Sequence, residues 1–120
     1  MVKISKQEFG DWLRKARTEK GVTLRKFAEM VGKSPTYISK IERGDFDPPS
    51  EETIRTIAKE LGQDENLVLG MAGKISDEIR DIITENPIEA AQFLRTSQGL
   101  TKEEWHKLIS KAETFKKKDK

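Results

Sequence analysis

The strongest constraint on this chain is its helix punctuation between Thr23 and Gly44. Thr23 is a helix-capping residue whose hydroxyl can accept a backbone N–H that the first turn leaves unpaired. Phe27, Ala28 and Val31 follow at the spacing of one helix face, with Val22 placed to staple against Phe27. Gly32 supplies a left-handed stop after only about two turns. The chain restarts at once: Ser34 is a second cap, and Pro35 stands at the first helical position, where a missing N–H costs nothing. Ile38 and Ile41 face inward until Gly44 closes the segment. The spacing predicts two short helices joined by a tight glycine turn.

Similar signals frame this pair. Ser5 and Glu8 form a capping box stapled by Ile4 and Phe9, and Phe9, Leu13, Ala16 and Lys20 give helix 1 its inner stripe up to Gly21. Asp47-Pro48-Pro49 is a rigid connector. Ser50 caps a fourth helix carrying Ile54, Ile57, Ala58 and Leu61, and Asp64 a short fifth with Leu67, Val68 and Met71 inward. Glycines 70 and 73 place a domain boundary near Gly73. Three more helices are expected beyond it, over Ser76 to Glu85, Pro87 to Ser97, and from a second capping box at Thr101 and Glu104. Asn86 is expected to cap the second of these, and the basic tail Lys116 to Lys120 to fray into disorder. The fold class is thus all-α: a five-helix domain at residues 1–73 and a three-helix extension at 74–120.

Composition narrows the function. Hydrophobic residues make up 34% and charged ones 37%, which suits narrow apolar stripes rather than a large central cavity. Cysteine is absent, which removes disulfides and thiolate metal sites. The beginning of the sequence lacks the apolar core of a signal peptide, and no run of about 18 apolar residues occurs, so a cytoplasmic location is expected. The net charge of +2 hides an uneven distribution. Arg14 to Arg43 holds nine bases against three acids, whereas Gly44 to Gly73 holds two bases against seven acids. One basic face on a nearly neutral protein is suited to phosphates.

Catalytic constellations are missing. One histidine and no cysteine leave no nucleophile–histidine or multi-histidine site. Glu103-x-x-His106 has the spacing of half a di-iron carboxylate site, without its other half. The chain reads as a non-enzyme with no metal and no cofactor.

The run T-L-R-K-F-A-E-M-V-G-K-S-P-T-Y-I-S-K-I-E-R-G, from Thr23 to Gly44, resembles the Cro-like phage-repressor (XRE-type) helix-turn-helix regulators, and the likeness extends over about residues 9–70. The resemblance implies that helix 3 enters the DNA major groove, with Pro35, Thr36, Tyr37 and Lys40 at the bases. Spacing agrees for Thr36, Tyr37 and Lys40, which share a face opposite Ile38 and Ile41. The Tyr37 ring could alternatively pack against helix 2. Ser34, Lys33, Arg25 and Arg43 are placed for phosphates at the helix ends. Where the family often carries a backbone-contacting glutamine at the start of helix 2, this chain has Leu24. The resemblance also implies a structural ion pair between Arg17 and Glu42.

The extension leaves Trp105, Leu108, Ile109 and Phe115 on one side of the last helix, a patch that needs a partner. A second copy, a protein antagonist or effector, or folding back on helix 5 would each cover it. A homodimer reading two half-sites of a palindromic double-stranded DNA operator as a repressor is the favoured expectation. The rival is a protein-interaction module, a transcription bridging factor or antitoxin-like binder.

Overall fold

The computed structural model describes residues 4–118, and among these all regular structure is helical. The order is α1 (Lys6–Glu19), α2 (Leu24–Val31), α3 (Pro35–Glu42), α4 (Glu51–Leu61), α5 (Glu65–Met71), α6 (Asp77–Glu85), α7 (Pro87–Thr96) and α8 (Lys102–Lys118). Two compact units form, Met1–Arg80 and Asp81–Lys120, dividing within α6.

In the first unit each of the five helices starts on a side-chain cap. Ser5 and Glu8 close a reciprocal box, with Glu8 N–H to Ser5 Oγ at 3.1 Å and Ser5 N–H to Glu8 Oε1 at 2.8 Å. The hydroxyls of Thr23 and Ser34 accept from the N–H groups of Lys26 and Tyr37 at 3.1 and 3.0 Å. Ser50 and the Asp64 carboxylate serve α4 and α5 in the same way. Each such cap is worth about 1 kcal/mol.

The core joins one stripe from each helix: Phe9 and Leu13, Phe27, Ala28 and Val31, Ile38 and Ile41, Ile54, Ile57, Ala58 and Leu61, then Val68 and Leu69. The inward faces of two helices differ in part from the sequence reading. In α1 the buried stripe continues through Arg17, while Ala16 is only partly buried and Lys20 is exposed. In α5 the core residues are Val68 and Leu69, with Met71 and Ala72 packing beside them, and Leu67 is 51% exposed. Leu67 lies about 200° around the helix from Leu69, outside the arc from Val68 to Leu69 that this short helix turns inward.

Packing of α1 on α3 depends on Gly10. A Cβ there would collide with the carbonyl oxygens of Ile41 and Glu42, the latter 2.6 Å away. The absent side chain lets the α1 backbone rest on the last turn of α3.

In the second unit, Phe93 of α7 meets Trp105 of α8 edge to face, with ring centroids 5.9 Å apart. The Thr101–Glu104 box opens α8. Asn86 makes no side-chain cap on α7; its amide donates instead to the Ile82 carbonyl, so it serves the end of the preceding helix. The basic tail also differs from expectation, because α8 continues through Lys118. Lysines are good helix formers and interact favourably with the carbonyl end of a helix, so the run extends α8. Asp119 and Lys120 lie outside the described residues.

Candidate nucleic-acid interface

The helix that faces outward owes its position to two anchors. Ile38 and Ile41 are fully buried behind it, against α1 and α2. At its end Glu42 is gripped by Arg17: Nε donates to Oε2 at 2.6 Å and Nη2 to Oε1 at 3.0 Å. The remaining guanidinium nitrogen, Nη1, donates to the Val22 carbonyl at 2.8 Å. One buried arginine therefore ties together α1, the turn before α2 and the end of α3. Bidentate charge-assisted geometry of this kind fixes direction as well as distance.

With that inner face fixed, Thr36, Lys40 and Arg43 fall one turn apart along the outside of α3, with Ser39 between them. Pro35 and Thr36 are exposed, and Lys40 is half-buried. Lys33, Ser34, Arg25 and Arg43 are all exposed. The Ser34 oxygen already accepts the Tyr37 N–H, which leaves its hydroxyl hydrogen to donate. Arg43 meets Asp45 through Nε at 3.4 Å, an exposed pair worth little and readily exchanged for a phosphate.

Tyr37 is neither fully exposed nor fully buried. Its ring is half-buried against the core and 5.9 Å from the Phe46 ring, and burial raises its phenol above the ordinary value of 10.0. Lys33 Nζ stands 5.7 Å from the tyrosine ring centre, and Lys40 Nζ stands 5.2 Å from that of Phe46. The result is a row of cation, ring, ring and cation beside the outer face of α3.

Phe46 had escaped the sequence reading; its signal is an aromatic two residues past the helix-ending Gly44, in an otherwise polar connector. Arg14 and Ser39 were also passed over. With Arg17, Leu24, Glu42 and Arg43 they line a notch of about 250 Å³ between α1, α2 and α3. Leu24 packs partly into the core there, which accounts for an apolar residue at the start of α2. The other residues singled out, Trp105, Leu108, Ile109 and Phe115, line a shallow apolar groove of about 330 Å³ in the second unit with Phe93. His106 is exposed, and the neighbouring Glu103 pairs with Lys107 at 3.7 Å. Among the described residues no cluster of three metal-ligating side chains occurs, and no helix is long and apolar enough to cross a membrane.

A helix-turn-helix domain profile matches residues 10–74, more than half of the chain. This protein belongs to the XRE-type helix-turn-helix family of DNA-binding transcription regulators. Among solved structures, this helix-turn-helix protein is similar to the clp gene regulator ClgR from Corynebacterium glutamicum. The two share 30% identity over 79% of this chain and 95% of that one, at a TM-score of 0.50. A second ClgR structure matches at 38% identity over 57% of this chain and 87% of that one, with a TM-score of 0.48. The restriction-modification controller protein C.AhdI from Aeromonas hydrophila matches at 28% identity over 52% and 90% of the two chains, also at 0.48. Comparison with curated protein sequences gives no significant match.

Proposed function

We propose that this helix-turn-helix protein is a sequence-specific repressor that binds a palindromic operator as a homodimer. The observation that carries the reading is the division of α3, with Ile38 and Ile41 buried and Thr36, Ser39, Lys40 and Arg43 turned out in one row. Placed in a major groove, the Lys40 ammonium donates to guanine O6 or N7, and Thr36 meets a thymine methyl or donates a hydrogen bond. Tyr37 and Pro35 supply apolar contact at the start of the helix. Arg25, Lys33, Ser34 and Arg43 serve the phosphates, which set register and much of the affinity. The likeness to ClgR, described as a gene regulator, supports the same role. Occupancy of the operator would then block transcription.

The second unit supplies the dimer contact in this reading, and residues 74–120 act as the dimerisation segment after the DNA-binding domain at 1–73. Its apolar groove is open, with Ile109 and Phe115 each more than half exposed. Along α8, Glu103 and Glu104 follow Lys102 at the start, with Glu103 paired to Lys107, and Lys116 and Lys117 lie at the end. Antiparallel pairing with a second α8 sets these ends against each other and covers the groove between them. The same open groove favours the second reading, a module that docks a protein antagonist instead of a second copy.

Selection of bound duplexes from a random DNA pool tests the proposal. An inverted repeat among the winners, bound by a species of two chains, is the expected result. Winners without symmetry, bound by one chain, count against the dimer. No enrichment at any ionic strength overturns the DNA reader and leaves the interaction module.

A further inference from the structure

We propose that Phe46 is a positioning residue for base readout: its ring holds the Lys40 ammonium at one place on the outer face of α3. This rests on the reading of Lys40 as a base contact given above.

The backbone explains why this ring is available. Gly44 adopts φ of +78°, and the chain turns back at once. The N–H of Asp45 donates to the Lys40 carbonyl at 2.9 Å, and the N–H of Phe46 donates to the same oxygen at 3.3 Å. Phe46 is therefore fastened by its backbone to the very residue whose side chain it faces. Its ring has a second support in Tyr37, 5.9 Å away at a tilted angle of 48°, in the range of favourable aromatic pairs. Tyr37 packs on the core in turn, so the ring is braced from the inner side.

Lys40 Nζ lies 5.2 Å from the Phe46 centroid, within reach of the negative face of the ring. A carboxylate in this position would neutralise the lysine; a phenyl ring attracts the ammonium while leaving its three N–H donors unspent. Of the acids near Lys40 in sequence, Glu42 is held by Arg17 and Asp45 is engaged by Arg43 at 3.4 Å. A free lysine has a flexible four-carbon stem and loses that freedom when it contacts a base. Restriction by the ring before DNA arrives lowers that cost for the one geometry it permits, which is the general route by which preorganisation adds affinity and discrimination. Phe46 is itself 40% exposed, so its apolar edge remains open beside the lysine.

The test uses the full chain and its selected operator. The base pair read by Lys40 is first located as the one whose preference is lost in Lys40→Met. Phe46→Leu is then compared with Phe46→Trp, which keeps an aromatic face. The inference expects Phe46→Leu to lower discrimination at that base pair by about two- to fivefold. Preference elsewhere and the dependence on salt should stay as they were, Phe46→Trp should retain wild-type discrimination, and Phe46→Leu should add nothing in a Lys40→Met background. In the free protein, the Lys40 ε-methylene protons should show an upfield ring shift that disappears in Phe46→Leu. Unchanged discrimination in Phe46→Leu, or a loss spread evenly over all positions, overturns the inference while leaving the regulator reading intact. A wild-type chain that selects no sequence overturns both.

Discussion

Arg17 and Glu42 lie 25 residues apart in sequence and meet almost out of contact with solvent, 8% and 7% exposed. Neither partner can be removed without leaving a desolvated charge. Glu42→Ala should lower stability by about 3–5 kcal/mol, a large share of what a domain of this size possesses. Replacing both by apolar residues of similar volume, as in Arg17→Met with Glu42→Leu, should recover much of that loss. Thermal melts of the two variants decide the matter; a single variant melting within about a degree of wild type contradicts the role.

Two glycines should respond oppositely to alanine. At Gly10 the methyl group would strike the backbone of Ile41 and Glu42, so overpacking should outweigh the helix propensity gained and cost about 1–3 kcal/mol. At Gly70, inside α5, nothing stands within 4 Å of the added carbon, and alanine should stabilise by about 0.4–1 kcal/mol. Denaturant midpoints with unchanged slopes would establish both signs.

Base and phosphate contacts should separate by kind of loss. Lys40→Ala should relax preference at one base pair by about 1–3 kcal/mol. Arg25→Ala and Arg43→Ala should weaken all sequences alike, each reducing the log–log salt slope by about 0.9. Titrations of operator and mismatched duplexes at several salt concentrations read both quantities. Preference lost through Arg25, or a slope lost without any change in preference through Lys40, would reverse the assignment.

Tyr37 is the only tyrosine, so its ionisation can be followed by absorbance without interference. Burial raises its phenol above 10.0, and burial favours the neutral form. The native state therefore holds this proton to higher pH than the unfolded chain does. Its contribution to stability is complete below about pH 10 and is lost as pH rises through the native midpoint. The absorbance midpoint should lie above that of the urea-unfolded protein; coincident midpoints would mean an unshielded ring.

Ile109→Lys places a charge in the apolar groove of the second unit. Sedimentation at micromolar concentration should show wild type at twice 13.7 kDa and the variant at 13.7 kDa. A wild-type protein that stays monomeric, with or without operator, rejects self-pairing through this face.

The helices themselves were legible because their ends are written locally. Ser5, Thr23, Ser34, Ser50 and Asp64 each cap within three residues, and such contacts need no knowledge of the tertiary fold. Long-range packing was less visible. Nothing near Gly10 announces that Ile41 will lie against it, and Leu67 satisfies an apolar pattern as well as Leu69 does. Asn86-Pro87 looks like a cap because asparagine commonly serves as one; the amide instead turned back to Ile82. The outward placing of Thr36 and Lys40 on α3 could be read from helical spacing, while their part as base contacts came from the family resemblance. Phe46 could not be placed in this way, because its role depends on a left-handed turn at Gly44 that carries it back over a residue six positions earlier.

The separation of α3 into an anchored inner side and a less encumbered outer one has a consequence for specificity. Ile38, Ile41 and Glu42 answer for stability, whereas Thr36 is exposed and Ser39 and Lys40 are only partly buried. In the proposed reading, a change on the outer side can therefore alter target preference at little cost to the fold, because the groups that anchor the helix stand on its other side.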